Sequence, residues 1–407
     1  MDNPGREPLD GVRVLELGNY IAAPTAGRLL ADFGAEVIKV ERPHTGDELR
    51  NWRLYSGTTS MLFHTINRHK KSVVLDLRTQ QGQQAVRELA RSCDIVLENF
   101  RPGTLERWGL GPDVLGADNP ELIFVRVSAF GQTGPRCTQP GFAAVAEAIA
   151  GLRGLTGDPD RTPSRTGVSI GDSIAGLYAA FGAMLALFQR ERDRAEQRTT
   201  APADRTVDVA LTEAIFSMME SLVPEYDAYH VTRTRSGGRM EGIAPSNAYL
   251  CGDDRWIVIA GNGDSIYRRF MTTIGRPDLA DDDRLGTNAQ RWQAREELDA
   301  AIGAWTSTLT AADALRALDA ADVPAGPINT APDIAADEQF LARGMIQRMD
   351  VSTGTETISD VAFPGIVPHL GTRPRRIRCV GPELGAHTTE VLAALGDGAA
   401  DPKELVR

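Results

Sequence analysis

Short apolar runs alternate with amphipathic segments along the first third of the chain. The amphipathic segments, at about 79–92 and 104–115, have helical spacing. The apolar runs predict strands at 12–17, 37–41, 73–77, 94–100 and 122–127, with one more at 207–211. Because strands that alternate with helices usually pair in parallel, the pattern predicts an α/β fold with an open, largely parallel sheet and helices on both faces.

The longest apolar segment, 174–188, follows directly on Gly171, Asp172 and Ser173. It predicts a buried helix, with Asp172 or Ser173 as the N-cap, because a side-chain oxygen there accepts an orphan backbone N–H. Small residues from Gly176 onward leave one face bare, so we expect a close packing partner. From spacing alone Asp172 is either a cap or, since a helix N-terminus keeps a carboxylate ionised, a nucleophile.

The second half of the chain has a different pattern. Strands at 249–251 and 256–260 predict a hairpin, and amphipathic helices follow at about 264–274, 292–305 and 310–320. The sequence also predicts a hairpin at 351–361 and a helix at 386–395, and together these two elements are too small to form a core of their own. We therefore expect a large domain begun by 1–224, a smaller α+β domain at 225–325, and a C-terminal segment, 326–407, that returns to the large domain.

Ligands of open α/β sheets bind at the carboxyl ends of the strands. Here those ends are followed by residues 19–24, 42–44, 101–103 and 128–131. The first turn has one glycine where a dinucleotide fingerprint needs three, so that fingerprint is absent. Basic residues near the strand ends form a candidate phosphate patch, unless each is simply a solvated surface charge: Arg42, Arg68, Lys70, Lys71, Arg101 and Arg107.

Composition narrows the function further. The 44 basic and 55 acidic residues give a net charge of −11, which disfavours nucleic acid and anionic membranes as partners. Four separated cysteines suggest reduced thiols and a cytoplasmic location, and six scattered histidines suggest no metal site. The sequence has no signal-peptide pattern, and the apolar segment is shorter than the ~20 residues of a membrane span. The sequence contains no G-x-S-x-G motif, which weighs against a hydrolase with a catalytic serine.

Five motifs together resemble the class III coenzyme A transferases, which include formyl-CoA transferase and the carnitine CoA-transferases. They lie in the family's order from about residue 8 to the C-terminus, at 9–16, 33–42, 67–72, 98–103 and 385–388. The resemblance implies a Rossmann-like large domain built from both chain ends and a small domain between them. It also implies a homodimer of two interlocked subunits, acyl-CoA and a carboxylic acid as substrates, and no permanently bound cofactor.

The resemblance also implies roles for individual residues. The nucleophile of the family is an aspartate in a Gly-Asp element that opens a small-residue helix, which matches Gly171 and Asp172. It would attack the thioester to give an aspartyl-acyl anhydride and then an aspartyl-CoA thioester. The residues expected near the first CoA-binding turn, the nucleotide or the pantetheine are Asn19, Ile21, Ala22, Arg42, Lys70, Asn99, Phe100 and Arg107.

Two departures from formyl-CoA transferase affect the expected substrate. Asn19 and Ile21 replace a histidine and a glutamine, and residues 236–239 are a poor version of a longer glycine loop. Formate and oxalate are therefore disfavoured. Residues 224–227 and 242–247 resemble members that use succinyl-CoA with a dicarboxylic acid. Because water would hydrolyse an anhydride, we also expect a mobile cover at 235–246.

Two alternatives to CoA transfer stay open. A racemase branch of the same family epimerises 2-methylacyl-CoA with an aspartate and a histidine. The matching stretch here, Gly141, Phe142 and Ala143, has no histidine, so Asp172 lacks that acid–base partner. The other alternative is a non-catalytic nucleotide-binding protein, which would bind CoA without forming a covalent adduct.

Overall fold

The computed structural model describes residues 7–371 and 375–395. The ends of the first and last expected segments, 1–6 and 396–407, lie outside the described residues. The chain divides into two compact units. The first comprises Met1–Leu152, Gly167–Glu220 and Glu338–Arg407, and the second comprises Arg153–Thr166 and Ser221–Asp337. The expected small domain was 225–325. The second unit also includes Arg153–Thr166, starts its main segment at Ser221 and ends at Asp337.

The elements are numbered in chain order. The strands are β1 Arg13–Glu16, β2 Glu36–Glu41, β3 Tyr55–Ser56, β4 Thr59–Ser60, β5 Lys70–Val74, β6 Ile95–Glu98, β7 Ile123–Ser128, β8 Thr206–Ala210, β9 Ser246–Leu250, β10 Trp256–Ala260, β11 Ala325–Pro327, β12 Ile346–Ser352 and β13 Thr357–Pro364. The helices are α1 Ala22–Asp32, α2 Met61–Ile66, α3 Gln80–Arg91, α4 Thr104–Arg107, α5 Pro112–Asp118, α6 Ala143–Ile149, α7 Leu152–Leu155, α8 Ile170–Ala195, α9 Leu211–Phe216, α10 Leu222–Tyr229, α11 Asp264–Thr273, α12 Pro277–Ala280, α13 Asn288–Gln293, α14 Arg295–Thr306, α15 Ala311–Ala320, α16 Ala331–Ala336, α17 Glu338–Ala342 and α18 Thr388–Ala393.

A six-stranded parallel sheet forms the first unit, in the order β5-β2-β1-β6-β7-β8. The predicted α/β class with a parallel sheet is thus confirmed. Alternate strand residues, such as Leu15, Ile38 and Phe124, pack with α3, α5 and α18 in one apolar core. The opposite face of β1, β2 and β5 carries buried charges instead, at Glu16, Lys39 and Lys70.

Helix α8 is longer than predicted and begins earlier. It spans Ile170–Ala195, its N-cap is Ser169, and Asp172 is its third residue. The expected cap at Asp172 or Ser173 is therefore wrong. The Ser169 side chain makes no capping bond, whereas the Ser173 hydroxyl donates to the Ser169 carbonyl oxygen at 3.0 Å.

The bare face of α8 packs as closely as predicted. A Cβ added at Gly176 would lie 2.6 Å from the carbonyl oxygen of Ala22, at the start of α1. A Cβ at Gly182 would lie 2.4 Å from Cγ1 of Val207 on β8. Glycine is needed at both positions because no side chain fits at these separations.

Part of α8 is not buried, in contrast to the prediction. Its length and apolar composition would also allow a membrane span, but a core helix satisfies the same test. Several large apolar side chains along it are more than half exposed in the single chain: Leu177, Phe181, Leu185 and Phe188.

Two boundaries in the first unit differ from the sequence pattern. The strand predicted at 73–77 is Lys70–Val74, so residues 75–77 lie beyond its carboxyl end, and a turn follows at 77–78. The helix predicted at 104–115 is two helices, α4 and α5. Gly109, with φ of 67°, interrupts the backbone, and Pro112 then starts α5.

The second unit contains the antiparallel sheet β11-β10-β9, which includes the predicted hairpin. Its helices pack around an apolar core that includes Ile257, Phe270 and Leu298. Arg291 is fully buried there and donates to the carbonyl oxygens of Ala244, Leu285 and Asn262. A second antiparallel hairpin, β12-β13, belongs to the first unit.

Candidate active site

A cleft of about 340 Å³ lies at the carboxyl ends of β1, β2, β5 and β6, where ligands of parallel sheets bind. It belongs entirely to the first unit. Its lining consists of Leu17, Asn19, Tyr20, Val40, Glu41, Arg42, Glu48, Leu75, Asp76, Leu77, Arg78, Asn99, Phe100 and Trp108. Four of the residues expected from the sequence therefore meet here: Asn19, Arg42, Asn99 and Phe100.

The turn after β1 is held by side chains from three other segments. Asn99 accepts from the Asn19 N–H at 2.9 Å and donates to the Asn19 carbonyl oxygen at 2.7 Å. Asp47 Oδ1 accepts from the N–H of Tyr20, whose φ is 62°. Lys39 Nζ donates to the Gly18 carbonyl oxygen at 2.8 Å. These hydrogen bonds hold the backbone of the turn in place.

Lys70 lies beneath the turn and does not line the cleft, so its expected place near the nucleotide or pantetheine stays a prediction. Its buried ammonium donates to Glu16, to the Pro24 carbonyl oxygen at 2.7 Å and to Asn67 Oδ1 at 2.9 Å. Burial lowers the pKa of Lys70 to about 8, against the attraction of Glu16. Burial also disfavours the charge of Lys39, but Asp47 and Glu16 outweigh it and raise the pKa of that lysine.

Three further residues do not line the cleft. Ile21 and Ala22 are 5% and 3% exposed, and Ile21 packs with Leu49 and Phe63. Their expected place at the first CoA-binding turn stays a prediction. Arg107 is exposed and donates to the Thr104 hydroxyl at 3.1 Å, one residue before the cleft residue Trp108.

The cleft also contains residues that sequence reasoning missed. Asp76 and Leu77 were assigned to the strand at 73–77, and Arg78 was assigned to no element. The Arg78 N–H donates to Asp76 Oδ1, which is the pattern of an Asx-turn. Arg42 and Arg78 lie at the cleft and are 52% and 79% exposed as side chains. Their carboxylate partners are Glu48 and Asp76, at 2.7 and 2.9 Å.

Asp172 is partly exposed in the first turn of α8, in the same unit. It lies one turn before Gly176 on the same helical face, and Gly176 contacts Ala22, which begins α1 directly after the cleft turn. Glu147, 1% exposed on α6, was missed by sequence reasoning. A Cβ added at Gly171 would lie 3.3 Å from its Oε1. The Asp172 carboxylate thus lies in the first turn of α8, where the helix dipole favours a negative charge.

No group of three or more His, Cys, Asp or Glu side chains suited to a metal ion occurs within residues 7–371 and 375–395.

Comparison with known proteins identifies the class. CoA-transferase family III matches residues 9–388, so the chain belongs to this family. It is 44% identical over 390 residues to a succinyl-CoA–D-citramalate CoA-transferase of Chloroflexus aurantiacus, covering 95% of this chain and 94% of the relative. It is 34% identical over 402 residues to a succinate–glutarate CoA-transferase of Agrobacterium fabrum, covering 97% of each.

A solved structure agrees with this assignment. A CaiB/BaiF family protein from Brucella suis superposes with a TM-score of 0.83 at 32% identity, covering 96% of this chain and 100% of that one. The protein is thus an enzyme of the class III CoA-transferases, with an acyl-CoA and a carboxylate as substrates. These relatives favour neither the racemase nor the non-catalytic alternative.

Proposed function

We propose that the protein transfers CoA from succinyl-CoA to a small dicarboxylic acid, with Asp172 as the covalent nucleophile. Succinyl-CoA is proposed as the CoA donor because the chain is similar to transferases named for succinyl-CoA, with 44% identity over 390 residues to the D-citramalate enzyme. The acceptors in the names of these relatives, D-citramalate, L-malate and glutarate, are all dicarboxylic acids.

The proposed reaction balances without a cofactor. The Asp172 carboxylate attacks the thioester carbonyl, the carbon–sulfur bond breaks, and CoA leaves as a thiolate, giving an aspartyl-succinyl anhydride. The thiolate attacks the aspartyl carbonyl, which releases succinate and forms an aspartyl-CoA thioester. The acceptor carboxylate then attacks this thioester, the carbon–sulfur bond breaks, and CoA leaves again as a thiolate, giving a second anhydride. The thiolate finally attacks the acceptor's carbonyl carbon, which forms the new acyl-CoA and frees the Asp172 carboxylate.

Positioning must supply most of the rate enhancement. A helix N-terminus stabilises a carboxylate by roughly 1 kcal/mol, whereas an enzymic acceleration requires at least about 8 kcal/mol. Holding two reactants in place can supply roughly 7 to 11 kcal/mol. The fixed turn at Gly18, Asn19 and Tyr20 supports this role because its backbone is already ordered by Lys39, Asn99 and Asp47.

We assign the nucleotide of CoA to the cleft of the first unit. Phe100 and Trp108 offer an aromatic wall, with ring centroids 5.4 Å apart at an angle of 78°. Arg42 and Arg78 are exposed enough to bind phosphates. Each would exchange a surface carboxylate for a phosphate, and a surface pair of this kind is worth only about 0 to 1 kcal/mol.

The proposed working form is a cytoplasmic homodimer. The exposed apolar side chains Leu177, Phe181, Leu185 and Phe188 recur every three or four residues along α8 and so form one stripe. A continuous apolar stripe of this kind is typical of an interface between proteins.

A panel of donors and acceptors tests the substrates. The purified enzyme is mixed with succinyl-CoA, acetyl-CoA or formyl-CoA, together with citramalate, malate, glutarate or acetate, and new thioesters are measured by mass spectrometry. We expect succinyl-CoA with a dicarboxylic acid to give the highest kcat/KM. Preferred transfer from formyl-CoA, or to acetate, would refute the substrate assignment.

Trapping tests the nucleophile. Enzyme mixed with acyl-CoA is treated with hydroxylamine or borohydride, and the modified peptide is mapped. We expect the modification on Asp172, and a fall in kcat of at least about 10³-fold for Asp172→Asn. Asp193→Asn, the same change 21 residues further along α8, is the matched control. Labelling at another carboxylate, or full activity in Asp172→Asn, would exclude the mechanism.

A further inference from the structure

Three charged side chains beside the cleft form a continuous chain of ion pairs. Glu98, the last residue of β6, is fully buried and accepts from Nε of Arg126 at 2.7 Å. Arg126 lies on the neighbouring strand β7 and donates from Nη1 to Oε1 of Glu106 on α4, also at 2.7 Å. These three residues are called the brace below. None of them lines the cleft.

The brace is connected to both rings of the aromatic wall. The second carboxylate oxygen of Glu98 accepts from the backbone N–H of Phe100 at 2.6 Å. At the other end of the brace, Glu106 lies two residues before Trp108, which caps the C-terminus of α4. Phe100 and Trp108 pack edge to face and both line the cleft. Each ring is therefore anchored to β7 through one arm of the brace.

We propose that the brace is a positioning device that sets the aromatic wall for the CoA nucleotide, and that protonation of Glu98 weakens it. The inference rests on the proposed function, because it takes the cleft to be the nucleotide site. All three members act through Phe100 and Trp108 and are positioning residues.

Protonation changes the number of hydrogen bonds that Glu98 can accept. An ionised carboxylate accepts at both oxygens, as Arg126 and the Phe100 N–H require, whereas protonation turns one oxygen into a donor. Burial raises the pKa of Glu98 to about 7, although Arg126 and the Phe100 N–H favour its ionised form and Glu106 opposes it. Arg126 from β7 and Glu106 from α4 are the charged groups that act on it most strongly. The brace is therefore complete above pH 7 and loses one bond below it.

The test measures binding of adenosine 3′,5′-bisphosphate, the nucleotide end of CoA, by titration calorimetry at pH 6.0 and 8.5. Glu98→Gln keeps one acceptor oxygen at every pH. We expect its Kd to exceed that of the wild type about fivefold at pH 8.5, the effect of one hydrogen bond, and to equal it at pH 6.0. The Kd of Glu98→Gln is divided by the Kd of the wild type at the same pH, so that protonation of the ligand's phosphates affects both values equally.

A second variant keeps the test decisive if Glu98→Gln does not fold. Glu106 is 43% exposed as a side chain, so Glu106→Gln is compatible with folding. It should raise the Kd about twofold at both pH values. Asp118→Asn removes a surface partner of Arg87 in the same unit and should leave binding unchanged. With saturating acyl-CoA, kcat should stay at the wild-type value in all three variants, because the brace affects KM.

The outcomes separate this inference from the proposed function. If the wild type does not bind the bisphosphate, the nucleotide assignment of the cleft fails, and the inference fails with it. If the wild type binds but the Kd ratio for Glu98→Gln is the same at both pH values, only the brace is overturned. A loss confined to kcat would also overturn it.

Discussion

Asn99 and Asn19 exchange two hydrogen bonds across the carboxyl ends of β6 and β1, at 2.9 and 2.7 Å. The side-chain amide of Asn99 thus fixes the turn that opens the cleft. Gly18 is required beside it, since an added Cβ would lie 2.5 Å from the Cβ of Ala23 and 3.2 Å from Oδ1 of Asn99.

Removing this pair should weaken acyl-CoA binding. We expect Asn99→Ala to raise KM for acyl-CoA about tenfold, because two hydrogen bonds of roughly 0.5 to 1.5 kcal/mol each are lost. Asn99→Asp keeps the acceptor for the Asn19 N–H but loses the donor, so its KM should be intermediate. Initial-rate kinetics measure both, and an unchanged KM in Asn99→Ala would show that the turn is ordered without Asn99.

The contact between α8 and α1 predicts a stability effect at Gly176. Gly176→Ala would place a Cβ 2.6 Å from the Ala22 carbonyl oxygen and should destabilise the protein by about 1 to 3 kcal/mol. Gly303→Ala is the matched control, because no atom lies within 4 Å of its added Cβ in α14. That change should instead stabilise by about 0.5 to 1 kcal/mol. Thermal unfolding of both variants is the measurement, and equal melting temperatures would contradict the close packing.

Burial of Glu98 predicts a pH-dependent stability. Its folded pKa of about 7 lies above its ordinary value of 4.5, so between these pH values the folded state binds more protons than the unfolded state. Stability should therefore fall as the pH rises from 4.5 to 7, by up to about 3 kcal/mol. Glu98→Gln should lack this part of the dependence in urea unfolding series. Parallel pH profiles for wild type and variant would show that Glu98 does not titrate in this range.

In the second unit, Asp299 joins Arg239, which lies in the segment 235–246, to Asn247 and Tyr249 of β9. Its Oδ2 accepts from Arg239 at 2.6 Å and from Asn247 at 2.9 Å, and its Oδ1 accepts from Tyr249. Asp299→Asn should speed hydrogen exchange of the 235–246 amides about tenfold while α15 keeps its protection. Asp278→Asn, at an exposed pair with Arg276, is the control. Unchanged exchange in Asp299→Asn would mean that other contacts hold the segment.

The apolar stripe of α8 predicts the effect of a charge on assembly. Phe181→Glu places a carboxylate in the middle of the stripe and should shift the protein from dimer to monomer in light scattering after size exclusion. Arg192→Ala, at an exposed polar position of the same helix, should leave the mass unchanged. A wild-type protein that is already monomeric would refute the proposed homodimer.

The sequence predicted most of the site's framework but not all of its residues. Strand alternation located the carboxyl ends that Asn19 and Arg42 follow, because parallel strands end at one edge of a sheet. Asn99 and Phe100 came from the family resemblance, since the predicted strand 94–100 included them although β6 ends at Glu98. Strand alternation misplaced residues 75–77, since Leu75 and Leu77 continue the alternation of the strand although the ladder ends at Val74. The cleft residue Asp76 was hidden for this reason.

Periodicity by itself determined the α/β class, the parallel sheet and the close packing of the small-residue helix, because these follow from local spacing. Tertiary structure decided which charges are buried. Lys70 resembles a surface lysine in sequence, yet its partners Glu16 and Pro24 come from segments 54 and 46 residues away. Tertiary structure also placed Asp172 in the first turn of α8 rather than at its cap, because the helix starts at Ile170 and Gly171 packs closely against Ile215 and Glu147.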